Sequence, residues 1–163
     1  MGGGARRADE RSRARLILYV DADACPVKDE VYRVAVRHGL RVVLVSNQWL
    51  QPPRGVDVQT VVVERQLDAA DHWIAERAGQ GDVVVTADIP LAARALERGA
   101  CAVGPDGREF TEDAIGDALA SRDLKADLRG SGVVLRGPRP MSDRDRSRFA
   151  GELERVVQRV LRR

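Results

Sequence analysis

An apolar run, Leu16 to Val20, passes directly into Asp21-Ala22-Asp23-Ala24-Cys25-Pro26-Val27-Lys28. A carboxylate withdrawn from water needs a cation or several hydrogen bonds, so two acids at the end of a buried strand suit a metal or proton-transfer site. Asp88 follows a second apolar run, Val83-Val84-Val85, and Asp68 and Asp71 stand three apart where a helical segment begins. That spacing puts the last pair on one helix face. Three or four such carboxylates with water form an oxygen-rich octahedral site, which suits Mg²⁺ or Mn²⁺ far better than Zn²⁺. A cation held there would lower the pKa of a bound water and stabilise charge growing on a phosphodiester. The expected ligands are Asp21, Asp71 and Asp88, with Asp23 either a further ligand or positioning the attacking water. Asp68 is a candidate helix N-cap and a fifth candidate ligand. Asp21, Asp23, Asp71 and Asp88 form the expected catalytic set.

Polar groups next to these acids could contact a substrate. Ser46 and Asn47 close one apolar run and Thr86 closes another; strand-end hydroxyls also commonly satisfy backbone groups. Arg136 and Arg139, among Gly-Pro turns, are expected to form a basic loop over the strand ends that grips phosphate bidentately. Arg144, Arg146 and Arg148 add charge behind them. Cys25 precedes Pro26 at a helix start, which would favour a thiolate, but the adjacent acids oppose a second negative charge and a packed small residue is expected. His72, between Asp71 and Trp73, is a candidate general base or an ordinary helix-surface residue. His38 reads as a residue at a helix C-terminus.

These groups need a scaffold that brings strand ends together. The pattern predicts strands at Leu16 to Val20, Arg41 to Val45, Val58 to Val63, Asp82 to Thr86 and Ala100 to Val103. Helices are predicted from Pro26 to Gly39, Asp68 to Gly79, Ile89 to Gly99, Thr111 to about Leu128, and Ser142 to the end. Short apolar strands without alternation, mostly separated by helices, indicate a parallel sheet covered on both faces. In such doubly wound sheets ligands bind beyond the carboxyl ends of the strands, where the strand order reverses. If the first and fourth strands are neighbours, Asp21 and Asp88 converge. At the last helix, Ser142 and Asp145 resemble a capping box, and Phe149, Leu153, Val156, Val157 and Val160 form an apolar stripe.

The 163 residues, 44% of them hydrophobic, suffice for one core. Residues 1–15 are charged and lack an apolar signal core, so they read as a disordered basic tail, with 16–163 as a single domain. Two cysteines fit a reducing compartment, and no apolar run reaches the ~20 residues a bilayer span needs; a cytoplasmic protein with no membrane partner is expected. The net charge of +2 conceals a division: residues 16–120 carry −7, the first fifteen +3 and residues 121–163 +6. Acids at the centre concentrate cations while the basic flanks attract a polyanion. With 25 Arg against two Lys, an Arg-rich composition accounts for the same charges as solvated helix faces.

The segments DADACPVK (21–28), DAADHWI (68–74), VVTADIPLA (84–92) and GPRPMSDRDRSRFAGEL (137–153) resemble the bacterial YaiI/YqxD family, over roughly residues 16 to 160. That family is similar to PIN-like and NYN-type domains. The resemblance implies a three-layer α/β fold with a mainly parallel five-stranded sheet in the order 3-2-1-4-5 and a C-terminal helix. It also implies an acidic metal site at Asp21, at Asp71 or Asp68, and at Asp88. PIN-like relatives are mostly metal-dependent ribonucleases, so the expected activity is a Mg²⁺- or Mn²⁺-dependent phosphodiesterase acting on RNA or another phosphate-bearing substrate.

Two other readings compete. A non-catalytic metal- and RNA-binding module would keep the acids for fold stability, although a 4% aromatic content offers few platforms for stacked bases. A phosphatase of the haloacid-dehalogenase type would use Asp21 as nucleophile, and Val42 to Asn47 resembles that superfamily's second motif. It also needs a lysine, and Lys28 and Lys125 both fall outside the expected place.

Overall fold

The computed structural model describes residues 16–66, 68–117, 119–120 and 140–163. Its centre is a sheet of five strands: β1 (Ile17–Asp21), β2 (Arg41–Ser46), β3 (Val58–Val62), β4 (Val83–Val85) and β5 (Cys101–Val103). All four pairings are parallel and the order is β3-β2-β1-β4-β5. The expected fold class, strand order and adjacency of β1 and β4 are therefore observed. Strand order reverses between β2-β1 and β1-β4, which opens a crevice at the carboxyl ends of β1 and β4.

Because side chains alternate across a strand, each strand feeds two cores. On one face Leu18, Val20, Val42 and Leu44 pack beneath α1 (Lys28–His38) and the C-terminal helix, which contributes Phe149, Leu153, Val156 and Val157. On the other, Tyr19, Val43, Val45 and Val84 meet Ile74 of α2 (Ala69–Arg77) and Leu91 of α3 (Ile89–Glu97). Full burial of each large apolar side chain contributes about 1.5–3 kcal/mol, so the layers hold strand ends in fixed relation.

The C-terminal helix, α4 (Asp143–Leu161), begins with the expected capping box. Ser142 Oγ accepts from the Asp145 amide at 3.1 Å, and the Ser142 amide donates to Asp145 Oδ2 at 3.0 Å. His38, at the last turn of α1, meets Glu154 of α4 at 2.8 Å. Gly39 ends α1 at φ 65°, a left-handed position that favours glycine. The segment 47–57 returns from the carboxyl end of β2 to the start of β3 without a helix, and Leu50 and Val56 pack on the first core in place of one.

Several boundaries differ from expectation. Asp21 lies inside β1, paired with Val45. β4 is shorter by Asp82 and Thr86, although the Asp82 carbonyl still accepts from the Cys101 amide and the Thr86 amide still donates to the Val103 carbonyl; the Asp82 carboxylate accepts from the Ile17 and Gly79 amides. Helix α1 starts at Lys28, since Ala22–Ala24 form a 3-10 turn first. Residues 112–117 are helical; residues 121–139, with the rest of that expected helix and most of the Gly/Pro-rich link, lie outside the described residues, as do residues 1–15. Among the described residues no helix is long and apolar enough to cross a membrane.

Candidate metal centre

The crevice at the carboxyl ends of β1 and β4 is a cleft of ≈ 260 Å³ lined by Asp21, Asp23, Asn47, Asp68, Asp71 and Asp88, together with Glu64 and Gln66. All five acids named from the sequence thus share one cleft. Within it, carboxylate oxygens of Asp68, Asp71 and Asp88 lie within 4.8 Å of one another. Asp21 stands behind this trio as the last residue of β1.

Each acid is held by a distinct device. The Thr86 hydroxyl donates to Asp21 Oδ2 at 3.1 Å and accepts from the Asp88 amide at 3.0 Å. Asp88 caps α3, its Oδ1 accepting from the Leu91 amide at 2.9 Å, and still faces the cleft. Asp88 is thus a helix cap as well as a cleft-lining acid. Asp23 accepts from Ser46 Oγ at 2.5 Å through one oxygen and from the Asn47 amide at 2.9 Å through the other. The Ser46 hydroxyl also accepts from the Gln48 amide at 3.2 Å.

Asp68 differs from its expected role. It occupies the N-cap position of α2 but its side chain makes no cap hydrogen bond, and its backbone is left-handed, with φ 68°. Its carbonyl accepts from the His72 amide at 2.9 Å. An aspartate tolerates this region better than most residues, yet still at some conformational cost. The turn carries the Asp68 carboxylate to the cluster instead of onto the helix end.

Mutual repulsion and burial set the electrostatics. Burial, a hydrogen bond with Asp88 and the charges of Asp88, Asp21 and Asp68 push Asp71 up from 3.8 to about 7. Burial is the main influence raising Asp21, with Asp88 and Asp23 adding to it and the Thr86 hydrogen bond opposing it. Like charges brought this close without a cation favour protonation. An all-oxygen set of this kind matches Mg²⁺ or Mn²⁺, whose charge would replace the protons.

The other expected residues are placed as follows. Ser46 and Thr86 are only 2% and 1% exposed and their hydroxyls are engaged with the acids, so they position carboxylates and do not present themselves to a ligand. Asn47 lines the cleft. Arg136 and Arg139 lie outside the described residues. Cys25 is buried and burial raises its pKa, as a packed thiol requires. His72 is exposed and meets Arg94 at 3.1 Å, away from the cleft-lining set. Glu64 and Gln66 escaped the sequence reading, although Glu64 follows the apolar third strand much as Asp21 and Asp88 follow theirs.

The chain matches, over residues 19–159, the model of a family described as uncharacterised, YaiI/YqxD. It is 58% identical over 146 residues to a UPF0178 protein of Parvibaculum lavamentivorans, covering 90% of this chain and 96% of the relative. A UPF0178 protein of Caulobacter vibrioides is 52% identical over 145 residues, covering 89% of this chain and 95% of the relative. Another from Rhodopseudomonas palustris is 52% identical over 146 residues, covering 90% and 92%. No solved structure matches the chain significantly.

Proposed function

The chain belongs to the YaiI/YqxD family, and from that premise we propose that it is a Mg²⁺- or Mn²⁺-dependent phosphodiesterase acting on RNA in the cytoplasm. Membership specifies no reaction, so the reading rests on the acids. The observation that carries it is the convergence of Asp68, Asp71 and Asp88 within 4.8 Å, beside Asp21, at the point where strand order reverses.

Asp68, Asp71 and Asp88 would hold the cation, with Asp21 reaching it directly or through water. When bound, the cation supplies Lewis acidity to a phosphate ester and neutralises charge as the ester is attacked. The chain's own residues supply order. Thr86 fixes Asp21 against Asp88, the Leu91 amide fixes Asp88, and the Asp23-Ser46 bond fixes the rim that presents Asn47. Open on one side and lined by acids, the cleft suits a substrate that arrives with a cation already screening its phosphates. The net positive charge of residues 121–163 would attract a polyanion to the molecule as a whole.

The aspartyl-phosphatase alternative needs a lysine beside the acids. Lys28 donates instead to the Cys25 carbonyl at 2.8 Å and is absent from the cleft lining, which favours the phosphodiesterase.

The test is cleavage of end-labelled structured and unstructured RNA by wild type, Asp21→Asn and Asp71→Asn, with Mg²⁺ or Mn²⁺, beside calorimetry of metal binding. Metal-dependent cleavage lost in both variants is expected. No cleavage by wild type with either metal, together with no metal binding that Asp71→Asn weakens, overturns the proposal. Binding of metal and RNA without cleavage transfers the site to the non-catalytic module.

A further inference from the structure

Trp49 is 62% exposed, the most exposed large apolar side chain among the described residues. The chain has two tryptophans. The other, Trp73, is in use: Tyr19 lies 6.3 Å from it, ring centre to ring centre, and the Arg77 guanidinium covers it at 4.0 Å. No ring or cation contact engages Trp49 among the described residues.

Its backbone is tethered on both sides. Two residues before it, Asn47 lines the acidic cleft and donates its amide to Asp23; the Gln48 amide is tied to buried Ser46. Immediately after it, Leu50 packs on the core, and Pro52 and Pro53 stiffen the crossing to β3. The chain therefore spends hydrogen bonds and a core anchor on a loop whose most apolar side chain stays in water. Backbone geometry keeps Trp49 within about 7 Å of Asn47, Cα to Cα.

Resting on the phosphodiesterase reading, we propose that Trp49 is a base-stacking platform and that the cleft takes single-stranded RNA, one base lying on the indole while the adjoining phosphate reaches the acids. Stacking reads a base's face and not its edge, so the platform selects unpaired strands without selecting sequence. A duplex keeps its bases inside and offers no such face. An indole also has only two side-chain torsions to immobilise on binding. The low aromatic content of the chain does not oppose this, since one ring two residues from the cleft-lining Asn47 suffices.

The experiment titrates wild type, Trp49→Ala and Trp49→Phe with a 12-nucleotide oligouridine and with a duplex of equal length, with Ca²⁺ in place of Mg²⁺ or Mn²⁺ to screen the phosphates while limiting turnover, following anisotropy of labelled RNA and tryptophan emission. Oligouridine is expected to quench wild-type emission and to bind in preference to the duplex. Trp49→Phe should lose the quench but bind nearly as well, whereas Trp49→Ala should weaken binding by roughly 5- to 150-fold. Thermal melting should be unchanged in both, because the side chain is exposed. Oligouridine binding by Trp49→Ala equal to that of wild type overturns the platform while leaving the phosphodiesterase reading intact. So does an effect of Trp49→Ala confined to self-association in sedimentation, which would make the indole a protein contact. Wild type that neither binds nor cleaves RNA removes the underlying reading itself.

Discussion

Thr86 joins Asp21 to Asp88: its hydroxyl gives its one proton to Asp21 Oδ2 and receives the Asp88 amide. Thr86 itself is buried and both its partners are half-buried, so water replaces these two bonds only in part. Thr86→Val keeps the shape and removes both bonds, and should cost about 1–3 kcal/mol of stability by leaving buried polar groups unmet. Cation affinity should fall about 10- to 100-fold, the usual effect of losing a group that orients a ligand. Thr86→Ser should restore most of both. Isothermal calorimetry with Mn²⁺ decides it: equal affinity in Thr86→Val and wild type would mean that Asp21 needs no such support.

Ser46 and Asp23 form the mirror of this arrangement on the other side of β1, at 2.5 Å. The bond links the turn after β1 to the last residue of β2, so Ser46→Ala and Asp23→Ala should each destabilise and should not add. A double-mutant cycle by urea denaturation is expected to give a coupling of about 1 kcal/mol, within the range for residues in contact. Additivity within about 0.3 kcal/mol would show the contact to be energetically idle.

How far the sequence discloses this site depends on what each residue answers to. Apolar runs ending in acids disclosed Asp21 and Asp88, because strand burial and acid cost are local facts. The neighbourhood of β1 and β4 was conditional from the residues and came with the strand order only through the family resemblance. Ser46 and Thr86 could be seen as polar strand ends but not as partners of Asp23 and Asp21, since those pairs are 23 and 65 residues apart. Asp68 invites reading as a side-chain cap from its position before α2; the left-handed backbone that carries its carboxylate to the cluster leaves no local mark in the sequence. Trp49 carried no local signal at all, for exposure is a property of the finished fold.

The backbone of Asp68 makes its own prediction. Removing the carboxylate relieves repulsion whichever residue replaces it, so the comparison of Asp68→Gly with Asp68→Ala isolates the φ of 68°. Alanine should be the less stable by about 1 kcal/mol, because only glycine enters this region without a Cβ penalty. Asp68→Asn should fall between them in backbone cost while testing the charge. Chemical denaturation of the three without divalent cation checks the order; equal stability of the Gly and Ala variants would mean that the loop relaxes to a right-handed turn.

Asp71 links the site to pH. Its carboxyl is raised from 3.8 to about 7 by burial, by the Asp88 hydrogen bond and by neighbouring charge. The folded protein therefore keeps a proton that the unfolded chain releases near 3.8, and in that window folding binds the more protons. Stability from this group is full below 3.8 and is lost as pH rises through about 7. The metal-free protein should consequently melt lower at pH 8 than at pH 5.5 by an amount that Asp71→Asn removes, and Asp71→Asn should be the more stable at pH 8. Adding Mg²⁺ or Mn²⁺ should reverse the wild-type loss at pH 8 and act weakly at pH 5.5, where the cation must displace the proton. Scanning calorimetry of both proteins at the two pH values, with and without the cation, measures the difference directly. A wild-type slope identical to that of Asp71→Asn, or equal stabilisation by cation at both pH values, would show that Asp71 is neither the protonated acid nor a ligand.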